Sequence, residues 1–371
     1  MEKTDDKDAC VPVPTSLLKP PDIRDLCDKL NIRPTKTLGQ NFVHDSATVR
    51  KIVREAGVQP GDHVLEVGPG LGSLTLGILE AGAYLSAIEI DNTIADLLPH
   101  TITARCNTPE NFALLHADAL TIHSPEQLAI PEALRTQFSE PRYPSNTAHE
   151  NVQHVEDMSN YQQHFTISHI REPQHCAPIN TQQQNRTAIT HTHYAPTKLV
   201  ANLPYNVAVP IILTLLEALP SLEHITVMVQ LEVADRLAAL PGSKTYGVPS
   251  VKTAWYGAAR RGSRISRNIF WPVPNVDSAL VSIDLYDDEA LRTLHAGVDR
   301  ETVFEIIDEA FAQRRKTLRQ ALRNWAGNAW RAEEILLAAG IDPQLRGEKL
   351  GITDFINIAR EAYTHRKEFV V

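Results

Sequence analysis

No uninterrupted apolar run in this 371-residue chain approaches the roughly 20 residues that a membrane-crossing helix needs, so no membrane association is expected. Met1 to Asp8 is mostly charged with no apolar stretch behind it, which argues against a secretory leader or transit peptide. Cysteine is scarce. Cys10, Cys27, Cys106 and Cys176 lie far apart with no C-x-x-C pair, which leaves no disulfide scaffold and fits reduced thiols in a cytoplasmic protein. An excess of positive charge is missing too: 45 acidic residues against 36 Lys and Arg give a net charge of −9, which at first sight argues against a polyanionic partner. The distribution of charge qualifies that sum. Arg236 to Asn275 holds no acidic residue but carries Arg260, Arg261, Arg264 and Arg267, and the acid-free stretch from Ala310 to Ala332 carries Arg314, Arg315 and Lys316. Two such stretches in one half of an acidic chain are expected to form a localised polyanion site, against the plainer reading of a solvated helix face.

Residues 1–35, with prolines around the short amphipathic segment Ile23 to Leu30, are expected to form a loosely ordered lead-in. From residue 46 onward the spacing predicts a helix over 46–57, then short β-type runs alternating with helical ones. The predicted strands are Val64–Val67, Tyr84–Ile90, Ala113–His116, Lys198–Ala201 and His224–Gln230, with helices near Ser73–Ala81, Ile94–Leu98 and Val209–Leu219. Single helices between strands imply a mostly parallel sheet covered on both faces, an α/β fold. One stretch interrupts this order. From about 123 to 196 the chain is rich in His, Gln, Asn, Thr and Pro and holds eight of the fifteen histidines, so it is expected to be a disordered surface insertion. His175 and the His191/His193 pair lack the spacing of a known metal site, and no metal is expected. After about Asp288 the periodicity is helical, with Val303, Ile306, Ile307, Ala310 and Phe311 on one face. The expected division is therefore 1–35, 36–288 with the insertion, and a small all-helical unit over 289–371.

Two motifs carry chemistry. V-L-E-V-G-P-G-L-G, residues 64–72, is a buried strand running into a glycine turn and a helix. Its spacing is G-x-G-x-G, whereas dinucleotide binders use G-x-G-x-x-G to hold a pyrophosphate on the helix N-terminus; S-adenosylmethionine has no pyrophosphate. Gly68 and Gly70 let the backbone pass close to a ligand, Glu89 at the end of the next strand can accept from two ribose hydroxyls, and Asp118 at the end of the third can accept from an adenine amine. The second motif is N-L-P-Y, Asn202 to Tyr205, after the strand Lys198–Ala201. The exocyclic amine of adenine is a poor nucleophile because its lone pair is delocalised into the ring. The amide oxygen of Asn202 and the carbonyl of Leu203 can accept its two N–H groups and localise that pair, Pro204 fixes the turn, and Tyr205 offers a face on which an unstacked base can rest.

With these motifs in place the chain closely resembles the ribosomal RNA small-subunit adenine dimethyltransferase family. The resemblance is carried by K-T-L-G-Q-N-F-V (36–43), E-V-G-P-G-L-G (66–72), N-L-P-Y (202–205), S-K-T-Y-G (243–247), F-W-P-V-P-N-V-D-S-A (270–279) and F-A-Q-R-R-K-T-L-R (311–319). It implies a Rossmann-like S-adenosylmethionine-dependent methyltransferase domain with a small C-terminal helical domain that binds RNA. It implies dimethylation of two adjacent adenines in 16S rRNA within the small ribosomal subunit, with the protein expected to act as a monomer. By resemblance, Asn41 and the backbone at Val43 join Gly68, Glu89, Asp118 and Asn202 around the cofactor, and Phe270 holds the flipped adenine opposite Tyr205. Two departures stand out: Leu231 occupies a place where the family commonly has a basic residue, and the insertion lengthens the connection between Asp118 and Asn202 by about 60 residues, at a closure cost that grows slowly with length. Three alternatives compete with this reading. A large-subunit resistance-type methyltransferase shares both turns, a non-catalytic assembly factor on the same fold is expected to drift at them, and a nicotinamide-dependent oxidoreductase fails on glycine spacing.

Overall fold

The computed structural model describes residues 14–29, 41–139 and 194–367. The chain enters through Pro20–Lys29 (α1), Phe42–Val43 (β1) and Ser46–Glu55 (α2), and strands and helices then alternate. They are His63–Val67 (β2), Ser73–Glu80 (α3), Tyr84–Glu89 (β3), Asn92–Arg105 (α4), Phe112–His116 (β4), Glu132–Ser139 (α5), Lys198–Asn202 (β5), Ala208–Ala218 (α6) and His224–Gln230 (β6). Leu231–Leu237 (α7), Val248–Ala254 (α8), Gly257–Ile265 (β7), Phe270–Trp271 (β8) and Ser278–Leu285 (β9) close this part. Asp288–His295 (α9), Arg300–Ala312 (α10), Leu318–Ala321 (α11), Ala329–Ala338 (α12) and Ile352–Lys367 (α13) follow.

Seven strands form one sheet in the order β4-β3-β2-β5-β6-β9-β7. The first five are parallel, and β9 and β7 add antiparallel at one edge. Side chains alternate between the faces with the period of two that a strand imposes. Val64 and Val200 fall in the apolar cluster under α2, α3 and α4, while Leu65, Val67, Leu199 and Ala201 fall in the cluster under α6. This is the expected Rossmann-like α/β sandwich. Strand order runs outward in opposite directions from β2 and β5, which opens a crevice at their carboxyl ends.

Three expectations change. The lead-in is folded over residues 14–29: Ile23 and Cys27, one turn apart on α1, are buried with Leu17 and Leu18 in the first core cluster, and Asp22 pairs with Arg105 at 2.8 Å. Prolines there start a helix instead of preventing one. Burial pushes the Cys27 thiol up to about 11, so it acts as a core side chain.

The helical unit does not begin at 289. Its apolar cluster includes Tyr246, Val251 and Trp255, which precede β7, together with Val303, Ile306, Phe355 and Ile358. Segment 243–255 has its motif residues in the methyltransferase sequence but its apolar face in the helical core. Leu231, the departure from the family pattern, packs against the second core cluster.

The start of the insertion is also folded. Leu128 and Leu134 are buried, and Ser86 Oγ on β3 donates to the Ala129 carbonyl at 2.6 Å. Residues 140–193, with His175, His191 and His193, lie outside the described residues. The two flanks approach each other: Tyr84 donates to Gln137 at 3.1 Å, His63 lies beside the Tyr194 and Ala195 backbone, and His63 and Tyr84 are direct partners across β2 and β3. Replacing 140–193 by a short Gly/Ser linker is therefore expected to leave folding and cofactor affinity within twofold of the parent, roughly 0.4 kcal/mol. Extending the deletion back to Ser124 removes Leu128 and Leu134 and should cost about 2–5 kcal/mol per buried leucine. Thermal melts of the two deletions check this, and equal melting temperatures would contradict it.

Candidate active site

The site lies at the carboxyl ends of β4, β3, β2 and β5. β2 delivers the chain into a turn where Gly68 and Gly70 hold φ of +66° and +57°, a region that L side chains rarely adopt. A Cβ on Gly70 would also press against the Phe42 ring at 3.1 Å. The turn brings the Gly70 N–H to Glu89 Oε2 at 3.2 Å, while Glu89 Oε1 accepts from the Ile90 and Asp91 N–H groups at 2.9 and 3.0 Å. Burial pushes the Glu89 carboxyl up, and these three N–H donors oppose that shift. Asp118 follows β4 and accepts from the Leu120 N–H at 2.9 Å, which anchors its carboxylate beside the cavity.

Asn202 ends β5. Its Nδ2 donates to the Asn41 carbonyl at 3.2 Å, which leaves Oδ1 as the end of the amide that a ligand can use as an acceptor. The Leu203 N–H is taken by the Met228 carbonyl at 3.1 Å and the Val207 N–H by the Pro204 carbonyl at 3.3 Å, so the N-L-P-Y turn is held on both sides before α6 begins. The Tyr205 hydroxyl meets Ser278 Oγ at 2.9 Å, and burial pushes the phenol up. A cavity of about 240 Å³ results, lined by Asn41, Val43, Gly68, Gly70, Glu89, Asp118 and Asn202 to Tyr205 among others. The structure thus brings together every expected cofactor and catalytic residue except one.

Phe270 is the exception. β1 and β8 pair antiparallel with Val43 opposite Phe270, and this small ribbon turns the Phe270 ring into the first core cluster, where it is 0% exposed. It does not line the cavity, so it has no face to offer a base in this conformation; it anchors the strand that carries Val43. Glu66, Ser73 and Ile90, none of them an expected site residue, also line the cavity. Glu66 had a signal, a carboxyl in the middle of an otherwise apolar strand.

The expected polyanion residues are placed differently from one another. Although 236–275 is free of acids in sequence, the strand, helix and loop packed beside it set acids against its arginines. Arg260 pairs with Asp284, Arg261 with Asp235 at 3.4 Å and Arg264 with Asp277 at 2.6 Å, while Arg267 donates to the Asn275 carbonyl at 3.3 Å. Arg314 donates to the Lys244 carbonyl at 2.7 Å and faces Glu348 at 3.3 Å. Arg315 and Lys316 sit in the exposed turn between α10 and α11, not on a helix, and have no acidic partner among the described residues. Exposed pairs of this kind are worth about 0–1 kcal/mol and exchange readily, so they temper a phosphate contact without forbidding it.

A family model described as ribosomal RNA adenine dimethylase matches residues 31–363. The ribosomal RNA small subunit methyltransferase A of Streptomyces griseus is 46% identical over 347 residues, covering 93% of this chain and 95% of its own. The protein of the same name from Kineococcus radiotolerans is 47% identical over 345 residues, with 93% and 91% covered. Among solved structures, a dimethyladenosine transferase from Plasmodium falciparum aligns with a TM-score of 0.58 at 17% identity, covering 87% of this chain and 98% of that one, a likeness of fold.

Proposed function

Because the chain belongs to the ribosomal RNA adenine dimethylase family, we propose that it transfers methyl groups from S-adenosylmethionine to the N6 amines of two adjacent adenines near the 3′ end of 16S rRNA in the small ribosomal subunit. It would act in the cytoplasm, where ribosomes assemble, as a monomer. The observation that carries this reading is the Asn202 amide, held by Asn41 with its oxygen left as the acceptor at the cavity.

The residues present fit the cofactor. Glu89 suits ribose hydroxyls and Asp118 an adenine amine, Asn41 and Val43 close one side, and among the described residues no lining residue is Lys, Arg or His. That last feature suits a positively charged ligand. When bound, S-adenosylmethionine supplies an electrophilic methyl group on a sulfonium. Asn202 Oδ1 and the Leu203 carbonyl accept the two hydrogens of the adenine amine and turn its lone pair toward that methyl. As the nitrogen gains positive charge, both acceptors bind it more tightly than they bind the neutral amine, which is where transition-state stabilisation arises. The surplus proton leaves to water, and no carboxylate base is needed. Tyr205, steadied by Ser278, supplies the stacking face.

The test is incubation of the protein with methyl-labelled S-adenosylmethionine and small subunits that lack the modification, with large subunits in parallel. Label in two adjacent adenines of the small-subunit rRNA is expected. Label in the large subunit would favour the resistance-type alternative, and cofactor binding with no transfer would favour a non-catalytic assembly factor.

RNA contact is assigned to Arg260, Arg261, Arg264 and Arg267 on and beside β7 and to Arg314, Arg315 and Lys316 on the helical unit. Replacing the last three by alanine should flatten the log–log salt dependence of subunit binding by roughly two units, since each phosphate contact contributes about 0.7–0.9, and should leave cofactor affinity unchanged. Anisotropy over a salt series decides, and a parental slope would reject the turn as an RNA contact.

A further inference from the structure

The strand β2 carries one carboxyl into the apolar interior. Glu66 is 1% exposed, lines the cavity, and its Oε2 accepts from Thr75 Oγ1 on α3 at 2.7 Å. In the sheet Glu66 stands opposite Ala87, two residues before Glu89, so the two carboxyls rise from the same face of neighbouring strands. Their surroundings differ. Three backbone N–H groups donate to Glu89 and oppose the rise that burial causes, whereas Glu66 has a single hydroxyl donor. Burial, with the nearby Glu89 charge, pushes Glu66 up to about 8. Two acids in one wall with such different donor sets are suited to separate roles.

The other titratable groups facing this space are Glu89 and Asp91 from the β3 side, Asp118 from the end of β4 and Tyr205 from the catalytic turn; α3 contributes only hydroxyls, Thr75 and Ser73. Ser73 Oγ is buried without a partner. Glu66, Glu89, Asp91 and Asp118 therefore share a cavity wall with no basic side chain among the described residues, a setting in which a ligand must bring its own positive charge.

The cofactor assignment above indicates which part of the ligand that is. With the adenine ring at β4, the ribose at β3 and the transferred methyl at the β5 turn, the segment between ribose and methyl, and the amino-acid end beyond it, lie over β2. We propose that Glu66 is the counter-charge for the α-ammonium group of S-adenosylmethionine and releases its own proton to solvent as the ligand enters. The proposal rests on the cofactor assignment above. The O–H bond of the neutral carboxyl breaks with its electron pair remaining on oxygen, the proton goes to buffer, and the carboxylate stays bonded to Thr75 and the ammonium.

The sign follows from linkage. Free Glu66 is protonated below about pH 8 and ionised in the complex, so binding releases up to one proton well below that pH, whereas well above it the ligand's α-amine takes one up. Affinity should rise about tenfold per pH unit up to about pH 8 and fall again above it, where the ligand loses its own ammonium proton.

Calorimetric titrations of the full chain with S-adenosylmethionine and with S-adenosylhomocysteine, in two buffers of different ionisation enthalpy, count the protons. Near pH 6.5 the ligand α-amine is already protonated, since an α-amino group titrates at about 7.7–8.0, so released protons come from the protein. Both ligands should release close to one proton there and take up close to one near pH 9, because the bound form pairs a carboxylate with an ammonium in both cases. Glu66→Gln should release none near pH 6.5 and bind at least about tenfold more weakly at pH 8, with an affinity flat in pH below about 7. Wild-type binding without proton release near pH 6.5 overturns the proposal, whether or not the glutamine variant folds. Release with S-adenosylmethionine alone also overturns it, by assigning the carboxylate to the sulfonium. Absence of binding by either ligand would instead overturn the cofactor assignment beneath it.

Discussion

Replacing Asn202 by alanine should lower kcat for methyl transfer by about 10²–10³-fold, the loss expected when one preorganised hydrogen-bonding group at a developing charge is removed. The amide oxygen binds the amine more strongly as its nitrogen becomes positive, so its removal acts on the transition state more than on the bound substrates. Cofactor affinity should fall modestly, because Asn202 also lines the cofactor cavity, and remain measurable by calorimetry. A structural cost accompanies the kinetic one: the donation to the Asn41 carbonyl is lost, worth about 1 kcal/mol. Single-turnover methyl incorporation beside a thermal melt separates the two effects. Turnover within a few-fold of the parent would reject the assignment of the catalytic turn.

For Glu89→Ala the main effect falls on the cofactor. An ionised acceptor lost from a pair of ligand hydroxyls costs about 1.5–3 kcal/mol, so the Kd for S-adenosylmethionine should rise by about one to two orders of magnitude. The same substitution strips the Gly70, Ile90 and Asp91 N–H groups of their acceptor. Buried donors left unsatisfied cost about 1–3 kcal/mol each unless water reaches them, so the melting temperature of the free protein should fall as well. Glu89→Gln keeps an acceptor oxygen and should fall between alanine and parent on both measures. An unchanged calorimetric Kd in the alanine variant would remove Glu89 as the ribose ligand.

Much of the site was legible in the sequence because its residues sit at successive strand ends. Val64–Gly72, Glu89, Asp118 and Asn202 each follow an apolar run, and parallel strands joined by helices place all their carboxyl ends on one edge of the sheet. Local pattern was enough to bring those groups together once the fold class was known. The helical periodicity of Val303, Ile306, Ile307 and Ala310 was legible for the same reason, since a one-dimensional repeat maps directly onto one face.

What only the tertiary structure decided depends on register between segments distant in sequence. Phe270 reads as a residue of the base pocket, but pairing with Val43 turns it into the core. The acid-free stretch around Arg260 and Arg264 reads as a bare positive surface, yet Asp284 and Asp277 neutralise those arginines from β9 and the segment leading into it. Glu66 reads as a step in a glycine motif, and only its place opposite β3 shows it sharing a wall with Glu89. A segment's own periodicity determines whether it forms a strand or a helix and which face is apolar. Which side chain meets which across strands is set by sheet order and by two-residue register, and these follow from packing the whole chain at once.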